Sequence, residues 1–419
     1  MQKKQKYCLW ALSSVPLVMT LGNSMLIPVL PVIERKLDIT AFQVSMIITV
    51  YSIFAIFLIP VAGYLSDRWG RKKVIIPSLV LAGIGGVITG WASWKLENPY
   101  WWILAGRVVQ GIGSAGAMPV VMPCVGDIFK DEKDVSCGLG MIETSNTFGK
   151  VLSPILGSIL AAVVWFLPFW FIPILCAAAI LLIAFLVKPP KQEPKKVPVK
   201  EFVHTVMETI RQKERWLLAI FILGAIIMFV LFGVQFYLST LLEEKYSVDG
   251  IWKGVVLAIP LTALSLCSYI TGKKIGDQKK TMKRCTLIGF AMLGGAFVIP
   301  LFFHSIYMLV ATLVIAGIGI GLSLPSLDAM ITEGIEKEER GTVTSLYSSM
   351  RFVGVAAGPP IYAFLMKGSD SKIFYVSGLL GLAGAALVML FIKPNENKSK
   401  EGKAGSVRPS PAKIKRHPV

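Results

Sequence analysis

Gly63-Tyr64-Leu65-Ser66-Asp67-Arg68-Trp69-Gly70-Arg71-Lys72-Lys73 lies between two apolar runs, 43–65 and 74–94, each long enough to cross a bilayer as a helix. Lys and Arg in short loops resist translocation, so a turn this basic stays on the cytoplasmic side and orients everything after it. A plain basic loop would explain the charges. It would not explain Gly63, Gly70 and Asp67 at those spacings.

Composition extends this reading to the whole chain. Of 419 residues, 54% are hydrophobic and 16% charged, against about 25% charged in a soluble domain. Apolar runs at 10–32, 43–65, 74–94, 101–124, 136–162, 166–187, 216–240, 251–272, 284–303, 306–330, 342–366 and 373–392 predict twelve helices in an all-α, multi-pass protein of the cell membrane. With both termini cytoplasmic, most of the 43 Lys and Arg fall on inner segments. The net charge of +18 is then a topology signal that also touches the anionic lipid of the bilayer, and no nucleic-acid partner is needed. The first run is too long for a signal-peptide core, and Pro28 and Pro31 belong in a retained, bent helix. The six cysteines form no Cys-x-x-Cys pair, and His204, His304 and His417 sit at segment ends or in the tail, so no metal and no cofactor are expected. No nucleophile–base pair or phosphate loop argues for an enzyme.

The chain divides into a six-helix bundle over 1–187, a basic, Pro-rich cytoplasmic linker over 188–215, a second six-helix bundle over 216–392 and a basic tail over 393–419, read as disordered. The halves echo each other. Gly149-x4-Pro154 in helix 5 returns as Gly354-x4-Pro359 in helix 11, a shift of 205, and Gly111-Ile-Gly113 in helix 4 returns as Gly319-Ile-Gly321 in helix 10, a shift of 208. Gly272-Lys273-Lys274-Ile275-Gly276-Asp277 is a weakened copy of the opening loop at a similar offset. Such a repeat predicts two pseudo-symmetric bundles with a substrate site between them near the midplane.

At every specified position the loop matches Gly-x-Leu-x-Asp-Arg-x-Gly-Arg-Lys/Arg, the signature of the major facilitator superfamily. Over residues 8–392 the chain resembles that superfamily's bacterial twelve-helix drug:proton antiporter branch, the multidrug efflux proteins. The resemblance implies a gate made of Gly63, Asp67, Arg68, Gly70, Arg71 and Asp127. Its two glycines would permit close helix approach, Asp67 would face helix 11 near Gly341–Thr344, and the cations would meet Asp127 below helix 4. Leu104 to Gly116, with Arg107 at its centre, resembles the helix 4 motif of proton-coupled antiporters. Arg107 is a proton-relay or substrate-orienting cation, or a structural ion pair within the first half. Exporters carry Gly-x3-Gly-Pro-x2-Gly-Gly in helix 5, where this chain has serines at Ser153 and Ser158, while Gly354-x3-Gly358-Pro359 in helix 11 keeps the pattern. Gly149, Ser153, Pro154, Gly157, Gly354, Gly358 and Pro359 are thus the expected seam between halves, and the motif implies export.

Acids decide the coupling. Helix 1 offers only Asn23 and Ser24 at depth, with Glu34 beyond its outer end, which leaves Glu143 in helix 5 and Asp328 toward the cytoplasmic end of helix 10. Arg107, Lys150 and Arg351 are the buried cations. Glu143 and Lys150 share a helix face about two turns apart, too far for an easy bond, so a Glu143–Arg107 pair is an equal expectation. Glu143, Arg107 and Asp328 are the candidates for proton coupling, with a permanently paired structural Glu143 as the other reading. Asn23, Met118, Asn146, Gln235, Tyr347 and Arg351 are the expected cavity residues. The function read from these features is export of small lipophilic or amphipathic compounds by a monomer, driven by inward proton flow through rocking of the two bundles. The alternatives are a dedicated exporter of one metabolite, siderophore or lipid-linked molecule, and a non-transporting membrane sensor.

Overall fold

A computed structural model describes residues 3–129, 132–187, 214–275, 278–302, 305–335 and 337–392, which form helices and short connections with no strand among them. Most of the linker, the whole 393–419 tail and Gly276 and Asp277 of the echoed loop lie outside the described residues. Helix 1 runs Lys3–Ser24, passes through a 3-10 turn at Ile27–Val29 and resumes as Leu30–Leu37. The break falls at Pro28 and Pro31, whose rings remove two backbone donors. Then come helix 2 (Ala41–Trp69), helix 3 (Arg71–Lys95), helix 4 (Tyr100–Ile128), helix 5 (Glu132–Val163) and helix 6 (Leu167–Leu186). In the second half are helix 7 (Glu214–Glu244), helix 8 (Gly250–Lys274), helix 9 (Lys279–Ala296, followed by Ile299–Phe302), helix 10 (Ile306–Gly334), helix 11 (Lys337–Met366) and helix 12 (Asp370–Phe391).

Eleven of these are long and apolar enough to cross a membrane. Helix 11 is equally long at 30 residues, but serines, glycines, Pro359, Pro360 and Arg351 dilute its hydropathy. Trp91, Trp94, Trp101 and Trp102 stand exposed around the connection between helices 3 and 4, where an aromatic ring suits the membrane–water boundary.

Helix 2 begins with a capping box, in which Gln43 N donates to Thr40 Oγ1 at 3.2 Å and Thr40 N donates to Gln43 Oε1 at 2.9 Å. It ends at Gly70, whose φ of 99° makes it the single hinge residue before helix 3. The opening motif is therefore helical except at one residue, because both helices outrun their apolar stretches. A Cβ on Gly70 would meet nothing within 4 Å. Gly70 is required by its backbone angle, not by the close approach expected of it.

The packing repeats. Helix pairs 1·5, 2·4, 3·4 and 3·6 of the first half recur as 7·11, 8·10, 9·10 and 9·12, while 2·11 and 5·8 join the halves. Side-chain-free contacts correct the register of one echo. A Cβ on Gly111 would strike the Tyr51 carbonyl of helix 2, and one on Gly317 the Pro260 carbonyl of helix 8; Gly113 and Gly319 likewise abut backbone of helices 3 and 9. Gly111 and Gly113 thus correspond to Gly317 and Gly319, two residues short of the sequence match to Gly319 and Gly321.

Candidate functional site

On the loop face, Arg71 collects the signature residues. Its Nη1 lies 2.6 Å from Asp67 Oδ1, the same nitrogen donates to Ser66 Oγ at 2.6 Å, and its Nε donates to Asp127 Oδ2 at 2.9 Å. The expected link to Asp127 is present. Asp67 is half exposed and Arg68 exposed. Of helix 11, Ser345 comes nearest to Gly63, at an ordinary 3.9 Å from where a Cβ would stand. Gly63 therefore tolerates a side chain in this conformation, and the close approach expected there is absent.

Arg107 is completely buried. Its Nε donates to the Ile47 carbonyl at 2.8 Å, Nη1 to Gln110 Oε1 at 2.5 Å and to the Gly22 carbonyl at 3.4 Å, and Nη2 to Asn23 Oδ1 at 2.5 Å. The Tyr51 ring covers the guanidinium at 4.3 Å. The expected Glu143 partner is not among these groups. Helices 1, 2 and 4 instead satisfy the cation with neutral acceptors, and Asn23 is committed to it and not to a cavity.

Glu143 is held on its own helix, accepting from Asn146 Nδ2 at 3.3 Å and Thr147 Oγ1 at 3.4 Å. Asn146 is buried and takes the Thr20 hydroxyl at 2.6 Å. Within the second half, Arg351 of helix 11 pairs with Asp328 of helix 10 at 3.7 Å, the two side chains 18% and 36% exposed. Tyr347 lies beside both. Lys150, Glu143, Asp328 and Arg351 are mutual electrostatic neighbours. Asp328 stands in the last two turns of helix 10, toward the end expected of it, and its electrostatic neighbours are Arg351 of helix 11 and Glu143 and Lys150 of helix 5, so it belongs to this cluster. Next to the cluster is a small cavity lined by Ser24 and Ile27 of helix 1, Lys150 and Pro154 of helix 5, Leu231, Phe232 and Gln235 of helix 7 and Leu261 of helix 8. Of the expected cavity residues, Gln235 lines it, Tyr347 and Arg351 border the cluster, and Met118 packs into the first half's own apolar core.

The motif glycines do not form the seam between halves. A Cβ on Gly149 would crowd Thr20 and Leu17, and one on Gly157 would overlap the Met25 carbonyl, both on helix 1. Gly354 and Gly358 are closed in the same way by Ala225, Phe229 and Gly233 of helix 7. These glycines lock helix 5 to helix 1 and helix 11 to helix 7 inside each half. Ser153 Oγ returns to the Gly149 carbonyl at 2.5 Å, which explains why a serine is accepted there. The contacts that do cross are Gly254 of helix 8 against the Pro154 carbonyl, and Thr49 Oγ1 donating to the Ala356 carbonyl at 2.7 Å, three residues before buried Pro359.

On the opposite face, the sequence reading missed a cross-half tie. Glu243, at the end of helix 7, accepts from Arg35 of helix 1 and from Lys253 of helix 8, and the Glu243 and Lys253 side chains are each 3% exposed. Ser239 Oγ adds a hydrogen bond to the Ile27 carbonyl at 3.0 Å. Charges within a turn or two of a helix end read as loop charges; the available signal was an acid and a base flanking one short connection.

The Major Facilitator Superfamily profile matches residues 12–302 and 280–419. The chain is 56% identical over 394 residues to the bacillibactin exporter of Bacillus subtilis, covering 94% of this chain and 98% of that protein. It is 26% identical over 386 residues to the class C tetracycline resistance protein of Escherichia coli, covering 88% and 91%. The structure of the human organic anion transporter MFSD10 superposes with a TM-score of 0.73 over 92% of this chain and 100% of that one, at 17% identity, and shows the shared fold. The chain belongs to the Major Facilitator Superfamily and is a multi-pass membrane transporter.

Proposed function

We propose that this transporter of the Major Facilitator Superfamily exports a siderophore, the cargo class of the bacillibactin exporter, across the cell membrane by alternating access. The single observation that carries the reading is 56% identity over nearly the full length of that protein, against 26% for a tetracycline exporter. The dedicated-exporter reading is thereby better supported than broad drug efflux. The central site agrees with it. A cavity walled by leucines and a phenylalanine but bordered by Glu143, Lys150, Asp328 and Arg351 offers fixed charges to a defined cargo, where a promiscuous site would be soft and apolar.

The Arg71-centred loop face is cytoplasmic, with both termini, because it carries the short basic turn. The Glu243 tie is then the outer gate, closed in the described conformation, and Asp67 and Arg71 belong to the inner one. The proton-motive force supplies the energy and no cofactor takes part. The test is uptake into inverted vesicles: bacillibactin should accumulate and tetracycline should not. Accumulation of tetracycline and unrelated lipophiles without bacillibactin would overturn the reading.

A further inference from the structure

Lys150 sits one turn before Pro154 on helix 5, lines the cavity between the halves and is 9% exposed. An ammonium has three donors, and leaving it buried without a partner is costly. Its side chain nevertheless makes no hydrogen bond or ion pair to any described residue. Glu143, the acid on the same helix face, has its carboxylate oxygens turned to Asn146 and Thr147, and Asp328 is paired with Arg351. Both acids influence Lys150 through space only. Three donors are therefore presented to the recess between the halves with none of the described residues to fill them.

The rest of the cavity defines what would. Ile27, Leu231, Phe232 and Leu261 are apolar, and Gln235 already donates its amide to the Leu257 carbonyl at 3.3 Å. A cation at one end of an otherwise apolar recess between the halves suits an aromatic or alicyclic unit bearing an anionic oxygen, admitted as the halves part. The chamber is built by helices 1 and 5 from one half and 7 and 8 from the other, so a group bound there contacts both bodies that must move.

We propose that Lys150 docks an anionic oxygen of the transported compound, making the cargo an amphipathic acid read by charge at this position. The inference rests on the proposed export function only in placing the cargo between the halves.

The test uses the full-length chain in nanodiscs of neutral lipid and a probe pair of one shape, 2-naphthoate and its uncharged amide 2-naphthamide, titrated by calorimetry. A charge-assisted contact predicts at least about tenfold tighter binding of the acid by the wild type. Lys150→Arg should keep that preference, and Lys150→Met should abolish it while leaving amide binding unchanged. Equal or undetectable binding of both probes by the wild type, which requires no variant to fold, overturns the proposal, as does a preference that survives Lys150→Met. Bacillibactin uptake is scored separately. Acid preference without bacillibactin uptake would refute the siderophore reading and leave Lys150 as an acid-docking residue, and bacillibactin uptake without acid preference would do the reverse.

Discussion

Replacing Glu243 by Gln should open the face opposite the signature loop. Glu243 neutralises two cations that differ in burial: the Lys253 side chain is 3% exposed and that of Arg35 is 66% exposed. Losing an exposed partner costs about 0–1 kcal/mol, whereas stranding a buried charge costs about 3–5 kcal/mol. Almost all of the effect therefore comes from Lys253, which regains water only when helices 1 and 7 separate. A bias of about 3 kcal/mol shifts the closed–open equilibrium by roughly two orders of magnitude. Spin labels at Lys36 and Lys245, both exposed, with exposed Cys137 replaced by serine, would report the distance across the tie. The wild type should give a short distance, Glu243→Gln a mostly longer one, and Glu243→Gln combined with Lys253→Met should return toward the short one because no stranded charge remains. Arg35→Gln should change little. An unchanged distribution in Glu243→Gln, or opening by Arg35→Gln as large as by Glu243→Gln, would refute the reasoning.

Asp67→Asn should reach the membrane in normal amounts, since Arg71 keeps Asp127 at 2.9 Å, yet should lose most bacillibactin uptake; uptake at the wild-type rate would remove Asp67 from the gate. Gly157→Leu and Gly358→Leu should each cost about 1–3 kcal/mol or more of stability through overpacking, read as a lower melting temperature in detergent, because each new side chain meets backbone of the paired helix. Gly126→Ala, with nothing within 4 Å of the new methyl, is the silent control, and a normal melting temperature for either leucine variant would show that its helix pair can part.

What was legible in the sequence followed from patterns that one helix writes by itself. Apolar length, the prolines that break helix 1 and the glycine–proline echo are all local, and they led to the helices and to the duplicated half. Which surface a small residue faces is not local. Gly149 and Gly354 look the same whether they border the partner half or their own, and only the packed structure shows helices 1 and 7 against them. Arg107 misled for a related reason. A lone buried cation invites an acid as its partner, but Ile47, Gly22, Asn23 and Gln110 satisfy it with neutral oxygens that leave no charge pattern to read. Lys253 and Glu243 were hidden by position, since burial of a charge at a helix end depends on what the other half places over it.

The central charges bear on what drives the cycle. With Glu143, Asp328, Lys150 and Arg351 all ionised, the empty site is neutral. A neutral cargo leaves it neutral, and the cycle then draws on the proton gradient only if a carboxyl such as Glu143 takes and gives a proton. An acid docked on Lys150 makes the loaded site singly negative instead. Moving one negative charge out of a cell that is negative inside is downhill by about 2.3 kcal/mol per 100 mV, close to a fiftyfold accumulation. In inverted vesicles with a potassium–valinomycin potential, positive inside, and no pH difference, the wild type should therefore accumulate bacillibactin. Glu143→Gln makes the empty site positive and the loaded site neutral, which transfers the charge movement to the return step, so uptake should persist under the potential. Uptake that an acidic interior also drives at zero potential, and that disappears in Glu143→Gln under either gradient, would place an exchangeable proton on Glu143 and show that proton release, not the charge of the cargo, drives the cycle.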